Sequence, residues 1–213
     1  MRALWGFYAR NSHEVMALVG QHVYLVAVST VAAVVIGVPL GILLSRRPAW
    51  RSPVLGLANV FQTVPSLALF GFLIPLPFIG GIGARTAIVA LVVYALLPVV
   101  RNTYTGIAGV DPAVREAGRG MGMTDGELLR LVELPLSLGV ILAGVRVATV
   151  VGVGTATIAA AIGAGGLGVY IFRGVATVDD TLILAGALPA ALMALAADGL
   201  LGLVERRLAW RAR

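Results

Sequence analysis

Residues 101–135 read RNTYTGIAGVDPAVREAGRGMGMTDGELLRLVELP, the longest polar stretch of an otherwise strongly apolar chain. Asp111-Pro112 sets a capping side chain before a proline at the first helical position, so a helix is expected to begin there. It should run through Val114, Arg115, Glu116 and Ala117 and break at Gly120-Met121-Gly122. Thr124 to Glu127 fits the capping box T-x-x-E and opens a second short helix through Leu128, Leu129 and Leu131, which Pro135 is expected to end. Helix, glycine turn and helix make a protruding knob. Its Met121, Met123 and leucines have nothing else in the chain to pack on and so call for a partner protein.

What surrounds the knob is not the surface of a soluble domain. Of 213 residues, 59% are hydrophobic and 12% charged, where a soluble domain carries about 25% charged residues. The bilayer is the expected solvent, and the length suits a single domain over residues 1–213. Spanning a hydrocarbon core takes roughly 20 apolar residues in a helix. Five stretches meet or approach that requirement: Val23–Leu44, Val54–Ile74, Thr86–Val100, Leu136–Ile162 and Thr181–Val204. There is no cysteine, which excludes disulfides and thiol chemistry, and all 16 basic residues are arginine. Without lysine the chain has neither a Walker A lysine nor a Schiff base. ATP and Mg, if used, belong to a partner, and no cofactor or metal is expected in this chain.

A net charge of +6 would suggest nucleic acid in a soluble protein; here the positions of the arginines argue otherwise. Short cytoplasmic loops collect arginine. One side of the spans holds Arg46, Arg47 and Arg51, then Arg101, Arg115, Arg119 and Arg130, then Arg206, Arg207, Arg211 and Arg213. The other holds Arg2, Arg10, Arg85 and Arg173, with Arg146 left inside a span. The N-terminus is therefore expected outside and the knob inside. Leu4–Val19, which mixes Trp5, Phe7 and Tyr8 with Arg10, His13 and Glu14, reads as an amphipathic helix on the membrane surface.

Helical spacing places Asn59, Gln62, Thr63 and Ser66 on one stripe of the second span, interrupted by Pro65. Lipid penalises such groups, so they line either a pathway or a packing seam. On the fifth span Gly186, Ala190, Ala194, Asp198 and Gly202 recur every four residues, which turns Asp198 into the bundle. Arg146 lies at similar depth on the fourth, and an Arg146–Asp198 pair with a structural role is expected. Gly163-Ala164-Gly165-Gly166-Leu167-Gly168 matches a dinucleotide fingerprint by letter. It follows a helix-length run rather than a strand, and a flexible outer turn is the better reading. His13 and His22 read as polar anchors near the interface.

Glu116-Ala117-Gly118, three residues, Gly122, nine residues and Val132-Glu133-Leu134-Pro135 resemble the EAA loop of ABC-importer permeases. The pattern there is E-A-A, three residues, G, nine residues, I-x-L-P; Gly118 and Val132 are the departures. Gln62-Thr63-Val64-Pro65-Ser66-Leu67-Ala68-Leu69, Tyr94-Ala95-Leu96-Leu97-Pro98 and Gly152-Val153-Gly154-Thr155-Ala156-Thr157 are similar to permeases of the osmoprotectant importers. So are the segments around Arg101, Val110, Ile162 and Glu205.

The resemblance implies an all-α membrane protein with the type I, MetI-like transmembrane fold. That fold has about five spans, with the cytoplasmic coupling loop between the third and fourth. It further implies a dimer of permeases, separate ATPase subunits, an extracytoplasmic substrate-binding protein, and cargo such as glycine betaine, choline or carnitine. Glu116, Ala117, Gly118, Gly122, Val132, Leu134 and Pro135 would form the contact with the ATPase. The binding protein would dock on Pro75–Arg85 and Gly163–Asp180. Methionine or ergothioneine cargo is the alternative within the class; a stand-alone channel or secondary transporter lies outside it. Tyr94 and Tyr104 are candidates for contact with a cationic cargo.

Overall fold

Backbone groups facing lipid must be satisfied within their own segment, which leaves helices as the economical answer for runs this apolar. The computed structural model describes residues 2–211 and is helical nearly throughout. Arg213, counted above with the tail arginines, lies outside the described residues. In chain order the helices are α1 (Arg2–Arg10), α2 (Ser12–Arg46), α3 (Pro48–Thr63), α4 (Ser66–Leu73), α5 (Ala84–Ala108), α6 (Pro112–Gly120), the short α7 (Asp125–Glu127), α8 (Leu134–Ile158), α9 (Gly168–Thr177) and α10 (Asp180–Arg211). A π-helical turn over Leu128–Glu133 joins α7 to α8, and a 3₁₀ turn over Ala159–Ile162 follows α8. Asp125 to Ile162 is thus one unbroken helical run of 38 residues.

Among the described residues four helical runs are long and apolar enough to cross a membrane, and the pair α3–α4, bent by 101°, makes a fifth span if it is counted as one segment. The second span is thus broken at Pro65, where its ladder was expected to be interrupted. Pro65 lacks an N–H, so the ladder stops at Thr63. The Tyr94 hydroxyl donates to the Val64 carbonyl at the break and fixes the bend from outside the segment.

Helices α2, α5 and α8 form the centre, drawn together by small residues facing larger ones. Ala33, Gly37 and Gly41 form a stripe spaced by four on α2. A methyl group on Gly41 would lie 2.5 Å from Thr103 Cβ on α5, and one on Gly144 of α8 would lie 2.5 Å from Asn102 Cβ. Without a hydrophobic drive between helices in lipid, such close approach is what holds them. Val31 and Val35 on α2 and Leu192, Leu195 and Leu200 on α10 are largely exposed, as the solvent of a membrane helix requires.

Three boundaries differ from expectation. The amphipathic surface helix is confined to Arg2–Arg10; Ser12–Val19 is the start of α2, because Leu18 is buried and Val15 and Val19 continue the same packed face. Helix α1 does not lie free but packs on α9 and α10, with Phe7 edge-on to Tyr170 at 5.3 Å and the Tyr8 hydroxyl donating to the Ala185 carbonyl. The third span continues to Ala108, so Arg101–Ala108 is helix rather than loop: Thr103 and Ile107 are buried and Gly106 meets Ser137. Pro135 ends nothing. It stands at the start of α8, inside the run that began at Asp125, and the helix winds on through it.

Candidate functional site

The knob forms as its local signals require. Asp111 Oδ1 accepts from the Ala113 N–H at 2.9 Å and caps α6. Thr124 Oγ1 accepts from the Glu127 N–H at 3.3 Å, and Glu127 Oε2 accepts from the Thr124 N–H at 2.8 Å, a complete capping box. Between them Gly122 has φ +84°, a conformation side chains resist, and no heavy atom of the chain lies within 4 Å of where its Cβ would stand. Gly122 is needed for the turn, and its outer side is open. Glu116, Ala117 and Met121 are exposed beside it.

Gly118 faces the other way. It is buried, and a methyl group there would come within 2.8 Å of Leu128 Cδ1 and 3.3 Å of Met123 Sδ. The knob's apolar residues are therefore divided: Leu128 is buried and holds α6 to the π turn, whereas Met121 and Leu131 are 73% and 64% exposed. Val132, Leu134 and Pro135 are half-buried at the foot of α8.

Glu133, which the loop motif leaves without a role, is fully buried. It receives both guanidinium groups of its neighbourhood. Arg46, the last residue of α2, reaches it with Nη1 at 3.3 Å from Oε1 and Nη2 donating to Oε2. Arg115 of α6 places Nε 3.0 Å from Oε1, and its Nη2 donates to the Ile107 carbonyl of α5. A lone carboxylate in the apolar run Leu-Val-Glu-Leu-Pro was the available signal.

The polar stripe of the second span is split by the bend: Asn59, Gln62 and Thr63 end α3 and Ser66 begins α4. Gln62 Nε2 donates to the Tyr94 carbonyl at 3.0 Å, Asn59 Oδ1 accepts from Arg101 at 3.0 Å, and Thr63 donates to the Val60 carbonyl. Helix α3 buries none of its residues within the chain. Arg146 and Asp198 do meet, in a two-pronged pair with Nε–Oδ1 2.6 Å and Nη2–Oδ2 2.7 Å. Glu205 stands 3.5 Å from the same guanidinium. The pair does not point into the bundle, however. Its side chains are 34% and 44% exposed beside an open cavity of about 600 Å³ lined by Gly199, Gly202 and Arg206. The small-residue stripe of α10 is shallow there, so the long Arg146 side chain spreads over Gly202 instead of passing inside it.

At the opposite end, the glycine turn after α8 is held rather than flexible. Gly163, Gly165 and Gly166 have φ +74°, +79° and +79°. Gln21 Oε1 accepts from the Gly166 N–H at 3.0 Å, and His22 Nδ1 accepts from the Leu167 N–H at 3.3 Å. His22 Nε2 is 3.0 Å from the Val153 carbonyl, to which it donates. His22 is thus a fully buried clamp, not an interfacial anchor. The outer charges are largely engaged: Arg173 pairs with Glu14 at 3.5 Å, and Asp179 caps α10. Burial pushes the nearby Tyr170 phenol up to about 12. Neither candidate tyrosine is free for a cation. Tyr94 is buried and committed to Val64, and the Tyr104 ring already carries Arg51 at 4.8 Å. Among the described residues no group of three or more acidic, histidine or cysteine side chains is placed to hold a metal.

Residues 33–210 match the family described as binding-protein-dependent transport system inner membrane component. The chain belongs to that family. It is 44% identical over 212 residues to a carnitine transport permease of Listeria monocytogenes, covering 100% of this chain and 96% of the relative. It is 47% identical over 193 residues to an osmoprotectant import permease of Salmonella typhimurium, covering 90% of each. An inward-facing methionine ABC transporter shares the fold with a TM-score of 0.84 at 24% identity, over 93% of this chain and 98% of the other. The permease is therefore a multi-pass inner-membrane component with the type I importer fold, its knob lying between the third and fourth spans.

Proposed function

We infer that this permease forms, as a dimer, the pathway of an ATP-driven importer for quaternary ammonium osmoprotectants of the glycine betaine, choline and carnitine type. The observation that carries the cargo class is full-length similarity above 40% to permeases named for carnitine and for osmoprotectants. Likeness to the methionine transporter, at 24% identity, speaks for fold alone. ATP hydrolysis belongs to a separate subunit, with ATP and Mg held there and no cofactor in this chain. An extracytoplasmic binding protein delivers the cargo to the end that carries Pro75–Arg85 and Gly163–Asp180. The test is uptake: vesicles containing the complete importer take up labelled glycine betaine only with ATP and the binding protein present. Uptake by this chain alone would favour a channel or secondary transporter.

The knob is the coupling element. Glu116, Ala117, Gly122 and Met121 form an open face with a carboxylate able to accept charge-assisted hydrogen bonds from a groove of the ATPase. Gly118, Val132, Leu134 and Pro135 lie behind that face and act by holding it to α8. The arginine distribution places this end in the cytoplasm. Single cysteines introduced at Met121 are accordingly expected to react with impermeant reagents only after the cytoplasmic side is opened; labelling in intact cells would reverse the orientation.

The second permease copy covers α3. A helix that buries nothing in its own chain yet exposes Gln62 and Thr63 at membrane depth needs protein or water against it. Asn59, Gln62, Thr63 and Ser66 then line the dimer axis. Gln62→Leu should lower uptake several-fold while the variant still assembles, whereas unchanged uptake would reduce the stripe to a packing seam. The Arg146–Asp198 pair is structural.

A further inference from the structure

The ion cluster at the base of the knob ties together elements that the chain separates widely. Arg46 and Glu133 are 87 residues apart, and Arg115 lies on a third element between them. In an ordinary α-helix Leu128 and Glu133, five residues apart, would point about 140° from one another. The π register, in which the Leu134 N–H bonds to the Leu129 carbonyl, brings both to the inner side. Leu128 meets Gly118 of α6 and Glu133 meets Arg115 of the same helix. The irregular turn thus serves to present one apolar and one ionic contact to the knob. Arg115 continues to the end of α5 through the Ile107 carbonyl, and Arg46 continues to α2.

We propose that Glu133 is a positioning residue for energy coupling: its carboxylate, shared by Arg46 and Arg115, locks the knob to the cytoplasmic ends of the first and fourth membrane helices so that they move together. This rests on reading the knob as the ATPase contact. A buried carboxylate between two guanidinium groups resists shear in a way that apolar contact does not, because displacing either arginine strands charge away from water. Force applied to α6 therefore reaches α2 through Glu133, and not only α8, to which the knob is joined by the chain. Loss of the carboxylate leaves the apolar contact between Gly118 and Leu128, so the knob still binds its partner but slips on the membrane helices.

The experiment compares uptake of labelled glycine betaine with ATP hydrolysis in vesicles holding the complete importer. Glu133→Gln, which keeps shape and removes charge, is expected to co-purify with the ATPase and to hydrolyse ATP. Uptake per ATP should fall about tenfold, within the usual range of coupling effects. Arg46→Gln, at the partly exposed rim, should lower the ratio in the same direction. A wild-type ratio in Glu133→Gln, or equal loss of uptake and hydrolysis, overturns the proposal. Should Glu133→Gln fail to assemble, Arg46→Gln decides alone, and a wild-type ratio there overturns it equally. Gly122→Asp separates the two levels: if it leaves ATPase binding intact, the coupling reading itself fails. If it abolishes binding while Glu133→Gln keeps its ratio, only the present inference falls.

Discussion

Gly122→Asp is expected to abolish uptake and weaken binding of the ATPase while leaving insertion in the membrane intact. Two costs add at this position. The residue holds φ +84°, where a non-glycine residue is strained by roughly 1–2 kcal/mol. The new side chain also projects outward, because nothing in this chain lies within 4 Å of its Cβ. Bulk and negative charge therefore fall on the partner, beside the exposed carboxylate of Glu116. Gly122→Ala carries the strain with little bulk and no charge, so it should retain part of the activity. Co-purification with the ATPase followed by vesicle uptake measures both variants. Wild-type binding and transport by Gly122→Asp would remove the knob from the coupling pathway.

His22→Leu should give the largest loss of stability. The imidazole is fully buried and serves two backbone groups that no water reaches, accepting from the Leu167 N–H and donating to the Val153 carbonyl. Leucine fills the space but leaves the Leu167 N–H without an acceptor, while the Val153 carbonyl keeps its helical bond within α8. One orphaned buried donor costs about 1–3 kcal/mol. At about 2–4 °C per kcal/mol for a chain of this size, melting in detergent should fall by roughly 2–12 °C. Gln21→Leu, which loses only the bond to Gly166 from an exposed residue, should fall by less. A His22→Leu variant that melts with the wild type would show that the glycine turn stands without its clamp.

What the sequence revealed divides by range of interaction. Asp111, Thr124 and Glu127 act on backbone two or three residues away, so the start of both knob helices could be placed from the letters alone. Spans were visible because hydropathy needs no partner. His22 and Leu167 are 145 residues apart, and nothing near His22 announces the turn it holds. Pro65 was visible as a breaker, yet the 101° bend is held by a hydroxyl from Tyr94, 30 residues beyond the Val64 carbonyl that accepts it. The polarity of Arg101–Ala108 hides where the third span ends; burial of Thr103 and Ile107 against neighbouring helices keeps it wound. The Arg146–Asp198 pair was found by depth, but depth does not tell the inside of a bundle from its edge.

The run from Asp125 to Ile162 has a mechanical meaning. Thirty-eight residues without a break, at about 1.5 Å each, make a rod of roughly 57 Å. It begins in the knob and ends one residue before the clamped glycine turn, so it crosses the whole thickness as a single lever. A tilt of about 1° about its foot carries the far end by about 1 Å over that length. Because Gln21 and His22 fasten that far end to α2, the first helix cannot stay behind when the lever swings. The expected result is that displacement at the knob and displacement at the outer turn are two ends of one motion.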